Sequence, residues 1–278
     1  MKPTTAFLFL ISTLLFISCK KEIPADNTIK SKENKTALKQ KTDTAAEKKS
    51  KEEEETMDWI AEELKKIPKN IKPIFGYRFV IDGDFNGDGK KEKLIEHFYS
   101  LKEKKETNKF YDNLGDMGQL IALTINKDPM SFLISNNTKI DTMMVSGHGQ
   151  QIGLSYLKNE GDLNGDGTDE ISYVINYADY SNLNSWHIAT YKNNQWTEIY
   201  SFDIWDWQLP DLPEACNQYG LFGTEDKIIV TENDSLNQAL EKQLKEFKGL
   251  VRKVKKKRIE ITYRTEEADE RKKIVKLK

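Results

Sequence analysis

Cysteine and histidine are scarce in this chain of 278 residues, which contains two cysteines and three histidines. If Cys19 is modified, Cys216 is left alone and no intrachain disulfide can form. A lone cysteine with few histidines can belong to a thiol enzyme, but a buried and inert thiol is the more common case. We therefore expect Cys216 to be structural.

Recognisable catalytic motifs are also missing. The sequence contains no P-loop, no HExxH, no GxSxG and no CxxC. A formal net charge of −2 favours no particular kind of partner. We therefore predict a protein that is not an enzyme and that does not bind nucleic acid.

Long hydrophobic runs are absent as well, because no stretch of eighteen apolar residues occurs. The longest largely apolar stretch, Ala6 to Ile17, has twelve residues. At ~1.5 Å per residue it is too short for a bilayer core of ~30 Å. With Lys2 before it, this stretch has the form of a secretory signal peptide.

The end of that stretch, Ser18 followed by Cys19, resembles the lipobox of bacterial lipoproteins. The resemblance implies that residues 1–18 are a signal peptide and that Cys19 carries the lipid. The protein would then be anchored by its lipid in the bacterial cell envelope, at the outer membrane, facing either the periplasm or the outside. A plain signal peptide before an incidental cysteine, or an uncleaved anchor, is the alternative.

The remaining chain divides into two parts of different composition. Residues 19–56 contain no aromatic residue and few apolar ones, so they cannot bury enough surface to fold. We predict a disordered charged tether there, with an average reach of roughly 30–35 Å. Residues 57–278 are long enough for one substantial core or two small ones.

Short runs of β-branched and aromatic residues dominate residues 57–278 and predict a mainly β (α+β) fold of antiparallel strands. The two asparagines Asn193 and Asn194 predict the turn of a hairpin. The predicted elements are helices over 57–67 and 235–250, strands over 76–81, 93–99, 120–125, 131–135, 171–177 and 227–232, and hairpins over 187–202 and 257–278. The apolar side of the second helix would suit either the core or a docked partner.

Two nearly identical loops stand out, GDFNGDGKKEKL at residues 83–94 and GDLNGDGTDEI at residues 161–171. In each copy, oxygen-bearing side chains fall on alternate positions, and a glycine at the sixth position permits a sharp turn. The seventh position can offer its backbone carbonyl. The candidate ligands are Asp84, Asn86, Asp88, Lys90 and Glu92 in the first copy, and Asp162, Asn164, Asp166, Thr168 and Glu170 in the second.

Such a set of hard oxygens predicts Ca²⁺, because Mg²⁺ demands stricter octahedral geometry and Zn²⁺ prefers softer ligands. An EF-hand would need a glutamate at position 12, where this chain has Ile95 and Tyr173. The alternative is a metal-free Asx-turn, in which the Asp and Asn side chains bond only the local backbone.

The loops resemble the Ca²⁺ loops of FG-GAP and VCBS repeat proteins, which carry D-x-[ND]-x-D-G-x-x-[DE] between two strands. The stretch from residue 162 to residue 202 is also similar to that of some Gram-negative lipoproteins. The resemblance implies bound Ca²⁺ and a propeller-like arrangement. With two loops 78 residues apart and no Gly-Pro signature, we expect a small propeller-like or open β assembly.

Two further stretches admit more than one function. FDIWDWQLPDLPEA, residues 202–215, places Trp205 and Trp207 among carboxylates, which suits a surface protein that binds or hydrolyses glycans. RKVKKKR, residues 252–258, suits either a polyanion patch or the solvated edge of a sheet. The leading hypothesis is a binding or structural role, with a glycan or an envelope protein as partner.

Overall fold

The computed structural model describes residues 59–111, 114, 118, 120–145, 147, 150–177, 182–210 and 234–278, with side chains described from residue 238 in the last range. These residues belong to the compact unit Glu55–Lys278. The predicted signal peptide, Cys19, the tether, Cys216 and the strand over 227–232 lie outside the described residues.

Antiparallel strands make up most of the described chain, which confirms the mainly β prediction. The strands are β1 (Pro73–Ile74), β2 (Val80–Gly83), β3 (Glu92–Ser100), β4 (Lys105–Glu106), β5 (Phe110–Tyr111), β6 (Pro129–Ser135), β7 (Met143–Val145), β8 (Gln151–Gly161), β9 (Glu170–Tyr177), β10 (Leu183–Lys192), β11 (Gln195–Trp205), β12 (Val251–Lys255), β13 (Arg258–Arg264) and β14 (Glu270–Lys276).

Two four-stranded meanders follow one another along the chain. The first has the order β2-β3-β6-β7, with β4 paired to β3, and the second has the order β8-β9-β10-β11. In both, an Asp-rich loop connects the first strand to the second. The repeated loop is therefore one part of a repeated strand–loop–strand arrangement, within a β assembly whose described strands form separate open sheets.

Smaller elements complete the described unit. A third meander has the order β12-β13-β14, and β1 pairs with β5. Helix α1 covers 59–66 and helix α2 covers Asp234–Glu246, with a π-helix at Ile121–Ile125 and a 3-10 turn at Asp206–Gln208. No helix among the described residues is both long and apolar enough to cross a membrane.

The predicted hairpin turn at Asn193 and Asn194 is confirmed. These residues have φ values of 53° and 59°, which asparagine tolerates better than most side chains. Residues Lys192 and Gln195 face each other across the turn. The two-residue turn thus fixes the register of the longest strand pair.

Two of the predicted strands are wrong in whole or in part. Residues 120–125 form helix rather than strand, and the Thr124 hydroxyl donates to the Leu120 carbonyl one turn back. A short apolar run cannot distinguish a buried helix from a strand. Residues 76–79 are not in a strand. Gly76 has a φ of 84°, and the Arg78 guanidinium donates a hydrogen bond to the Phe75 carbonyl at 2.8 Å.

The second meander is buried on both of its faces. Leu154, Ile171 and Ile175 pack in a cluster with the first meander, and Tyr156 and Trp186 pack in another cluster with α2 and the third meander. Leu240 of α2 is only 1% exposed. The hypothesis that α2 docks a partner through this side chain is therefore wrong, since its apolar side faces the core.

A buried ion pair lies inside the first meander. The Lys109 ammonium is 2.9 Å from the Glu96 carboxylate, and both side chains are almost fully buried. Glu96 also accepts hydrogen bonds from the Ser131 hydroxyl at 2.7 Å, Leu154 N–H at 3.1 Å and Phe79 N–H at 3.2 Å. Burial lowers the pKa of Lys109 to about 8, and the neighbouring Glu96 opposes that shift. Every oxygen of this carboxylate is thus engaged.

We predict that Lys109→Met destabilises the unit by about 3–5 kcal/mol, because the Glu96 charge would remain buried without its partner. Urea unfolding of residues 55–278 measures the change. Lys242→Met is the matched control, since Lys242 and Glu246 form an exposed pair at 3.9 Å and should cost under about 1 kcal/mol. Equal losses in the two variants would contradict a structural role for the buried pair.

Candidate metal centre

The first loop, residues 84–92 and hereafter loop 1, is organised around the Asp84 carboxylate. Asp84 Oδ1 accepts Gly87 N–H at 2.8 Å and Asp88 N–H at 3.0 Å, and Oδ2 accepts Gly89 N–H at 2.8 Å. Asn86 Oδ1 accepts Asp88 N–H at 2.9 Å. Successive backbone N–H groups therefore turn inward toward the side-chain oxygens, which is the geometry of stacked Asx-turns.

The second loop, residues 162–170 and hereafter loop 2, repeats most of this hydrogen-bond frame, apart from the bond that Gly89 N–H donates to Asp84 Oδ2 in loop 1. Asp162 Oδ1 accepts Gly165 N–H at 2.5 Å and Asp166 N–H at 3.1 Å. Asn164 Oδ1 accepts Asp166 N–H at 2.8 Å, and Asp166 Oδ1 accepts Thr168 N–H at 3.2 Å. The repeated sequence thus produces one local structure twice.

The ninth residue of each loop is a glutamate whose buried carboxylate accepts at least one hydrogen bond from a backbone N–H group of the same loop. Glu92 Oε2 accepts Phe85 N–H at 3.2 Å, and Glu170 Oε2 accepts Leu163 N–H at 2.6 Å. Glu170 is fully buried, and burial raises its pKa to about 7 although the Asn164 N–H bonds oppose the shift. Both glutamates, predicted as ligands, therefore also hold the interior of their loops.

The two loops lie side by side, although their sequences are far apart. Asp169 N–H donates to the Asp84 carbonyl at 2.8 Å, and Asp84 N–H donates to Asp169 Oδ2 at 3.0 Å. The Asn159 amide donates to Asp169 Oδ2 at 2.8 Å and to the Asp82 carbonyl at 2.9 Å. We call this set of contacts the loop seam. It ties the beginning of loop 1 to the end of loop 2.

Positive side chains distinguish the two loops. Lys192 Nζ lies 3.1 Å from Asp166 Oδ2, and Lys253 Nζ donates to the Asp162 carbonyl. Hydrogen bonds from Thr168 and the nearby Lys192 ammonium lower the pKa of Asp166 against the effect of burial. Within the described part of the chain, no carboxylate of loop 1 has an ion-pair partner. A lysine thus occupies a candidate ligand oxygen in loop 2, whereas among the described residues Lys90 and Lys91 of loop 1 form no ion pair with the carboxylates of their own loop.

The oxygens in these loops fit a hard cation by their chemistry. Carboxylate and amide oxygens that accept one N–H keep a further lone pair, and Ca²⁺ accepts irregular shells of six to eight oxygens. Among the described residues, no three His, Cys, Asp or Glu side chains are already gathered as a metal cluster. The Asx-turn frame alone is compatible with either alternative, so the assignment of Ca²⁺ is a proposal.

The Trp-rich stretch has the exposed aromatic ring that glycan binding needs, but one of its carboxylates is buried. Trp205 and Trp207 stack with ring centroids 4.3 Å apart, and Trp207 is 60% exposed. Asp206 is buried and accepts the Asn184 amide at 3.0 Å, whereas Asp203 is exposed beside a shallow groove. Asp206 is therefore engaged structurally, which does not suit a free acid or base for hydrolysis. Asp211 and Glu214 lie outside the described residues.

Comparison with known proteins found no match for this chain among protein-family models, curated proteins or solved structures.

We predict that Asp169→Ala destabilises the unit by about 1–3 kcal/mol, because it leaves the Asp84 N–H and Asn159 amide donors without their acceptor. Asp169→Asn keeps one oxygen and should cost less. Asp82→Ala is the control, since its exposed pair with Lys93 at 3.4 Å should contribute under about 1 kcal/mol. Urea unfolding without added metal measures all three, and no loss in Asp169→Ala would mean that the loop seam does not hold.

Proposed function

We propose that this protein is a lipid-anchored protein of the bacterial cell envelope whose β domain binds Ca²⁺ through loops 1 and 2, with a binding or structural role. The observation that carries the proposal is the shared hydrogen-bond frame around Asp84 and Asp162, in which Oδ1 accepts the N–H groups three and four residues on. Two loops with one sequence pattern and one geometry are better explained by a shared ligand than by two unrelated turns.

The location of the loops indicates what the cation would do. Each loop joins the first two strands of a meander, and the loop seam connects the two meanders through Asp84 and Asp169. A cation held there would offset the repulsion among the carboxylates, which otherwise weakens the unit. Ca²⁺ would therefore stabilise the junction of the two sheets rather than take part in a reaction.

We predict that millimolar Ca²⁺ raises the Tm of residues 55–278 relative to EDTA, and that the same concentration of Mg²⁺ does so much less. At about 100 times Kd, each site would add ~2.7 kcal/mol of stability, which corresponds to about 5–10 °C. Differential scanning calorimetry measures the shift.

The variants Asp84→Ala and Asp162→Ala should each lose part of this shift, and the double variant should lose all of it. Asp82→Ala removes a carboxylate outside the loops and should keep the full shift. A Tm that does not respond to Ca²⁺ would reject the proposed function and favour the metal-free Asx-turn.

We further predict that loop 1 binds Ca²⁺ more tightly than loop 2, because Lys192 occupies the candidate ligand oxygen Asp166 Oδ2, whereas in the described structure Lys90 and Lys91 of loop 1 form no ion pair with its carboxylates. Isothermal titration should then resolve two unequal sites, and Asp84→Ala should remove the tighter one. Lys192→Met should strengthen the weaker site by about two- to fivefold, the range of an exposed ion pair. Lys242→Met makes the same charge change on α2 and should alter neither site.

Glycan binding is the second candidate function. The exposed Trp207 and its stacked partner Trp205 present an aromatic surface, and the adjacent groove is lined by Asp203, Tyr263 and Glu266. Flat aromatic rings beside carboxylates suit the apolar faces and hydroxyl groups of sugars. This candidate concerns a different part of the domain and is compatible with Ca²⁺-bound loops.

A further inference from the structure

The positive charge of the chain is concentrated in the third meander. Residues 251–278 hold 12 of the 43 basic residues but only 5 of the 45 acidic ones. Their net charge is therefore +7, in a chain whose total is −2. The sheet formed by β12, β13 and β14 is thus a strongly basic element of an otherwise acidic protein.

The strand register separates the two faces of this sheet. Ile259 faces Val275, and both pack in the core cluster behind the sheet. On the opposite face, Arg258 is paired with Lys276, and Ile274 is paired with Glu260. Side chains directly opposite each other in an antiparallel pair share one face. The register therefore places Ile259, Ile261 and Val275 inward. Among the basic strand residues, Arg252, Arg258, Arg264, Lys272 and Lys276 face outward, whereas Lys253, Arg271 and Lys273 share the inward face.

We call the outward face the basic face. Its members are Arg252, Arg258, Arg264, Lys272, Lys276, Glu260, Glu270, Thr262 and Ile274.

Most of the cations on the basic face are not neutralised by the protein. Its central carboxylate, Glu260, is held by Arg252 in two hydrogen bonds at 3.3 Å and 3.0 Å. Arg258 and Lys276 have no ion pair among the described residues, and Lys272 forms none either but lies close enough to Glu260 to help lower the pKa of that carboxylate. Ile274 lies between these cations and is 58% exposed. The face thus combines free positive charge with a protruding aliphatic side chain.

We propose that the basic face is a membrane-contact surface that binds anionic lipid headgroups. Lys and Arg near an anionic bilayer contribute about 1 kcal/mol each, and an aliphatic side chain among them can enter the interfacial layer. No member of the basic face is aromatic, and the rings that border it are already engaged, since Trp205 packs against Arg264 and stacks on Trp207. The face therefore offers no series of rings on which successive bases could stack, and single-stranded nucleic acid is a poorer fit. The proposal does not depend on Ca²⁺ binding by loops 1 and 2.

This surface would supply a second contact with the membrane beside the predicted lipid on Cys19. One acyl chain alone gives reversible membrane binding, and stable association takes a second signal such as a basic patch. The predicted tether over residues 19–56 is long enough for a folded domain to reach the surface to which it is anchored. The basic face would then set the orientation of the domain on that surface.

The experiment is co-sedimentation of residues 55–278 with vesicles of phosphatidylcholine, alone or with about 30% phosphatidylglycerol. This unit has its own two buried clusters and lacks the lipid anchor, so binding reports the domain itself. We expect binding to the anionic vesicles alone, which is lost at about 0.5 M salt. Lys272→Gln/Lys276→Gln should weaken it by roughly 25-fold, about fivefold for each charge.

Two controls make the result specific. Lys66→Gln/Lys242→Gln removes the same charge from exposed side chains on α1 and α2, and should change binding by less than about twofold. Ile274→Ser should weaken binding without a change in net charge, because it removes the aliphatic contact. Circular dichroism checks that each variant is folded.

Several outcomes would overturn the proposal. Equal binding to neutral and anionic vesicles, or an equal loss in the control pair, would mean that this face is not the contact. Binding to duplex DNA or polyphosphate without binding to vesicles would assign the face to a soluble polyanion. Absence of binding to any of these probes would leave the lysines with the role of preventing edge-to-edge pairing of β12 and β14.

Discussion

The hydrogen bonds exchanged by Asp84 and Asp169 join the two meanders at their Asp-rich loops, where the buried cluster between the sheets ends in polar side chains. Asp84 uses its backbone N–H and its carbonyl toward loop 2, and its carboxylate toward loop 1. The same residue therefore closes its own turn and joins the neighbouring one. Because backbone groups at such a junction must be paired when they leave water, the loops cannot open independently of the seam.

The two loops meet the same electrostatic requirement in different ways. Both concentrate carboxylates in a few residues, which is unfavourable unless positive charge lies nearby. In loop 2, Lys192 and Lys253 approach from the second and third meanders. In loop 1 the lysines belong to the loop itself, and Lys90 and Lys91 form no ion pair with its carboxylates among the described residues. The carboxylates of the two loops thus differ in whether a lysine from elsewhere in the fold already occupies one of their oxygens.

The features that the sequence predicted correctly are local ones. Asn193 and Asn194 define a turn by their own backbone preferences, and the Asp-rich loops close through residues only a few positions apart. The contacts that reasoning from the sequence missed are long-range. Asp169 is an ordinary loop residue until the fold places it beside Asp84, 85 positions earlier in the chain. Likewise, nothing in the sequence around Lys192 indicates that its side chain lies beside Asp166.

The error over residues 120–125 has a related physical cause. Ile121 to Thr124 are buried, and a continuous apolar run satisfies a buried helix as well as a buried strand. The choice depends on neighbours far along the chain, such as Gln150, whose side-chain amide lies 3.0 Å from the Thr124 hydroxyl oxygen. The buried pair of Glu96 and Lys109 could not be predicted for the same reason. Charged residues are usually exposed, and only the tertiary structure shows that these two are buried together.

The most direct test of the central claim is amide hydrogen exchange of residues 55–278, compared in Ca²⁺ and in EDTA. If Ca²⁺ occupies the loops and thereby holds the seam, exchange should slow at Gly87, Asp88 and Asp166 and also at Asp84 and Asp169, whose N–H groups cross the seam. Slower exchange within the loops but not at the seam would contradict the link between the cation and the sheets. Unchanged exchange at all of these amides would contradict Ca²⁺ binding itself.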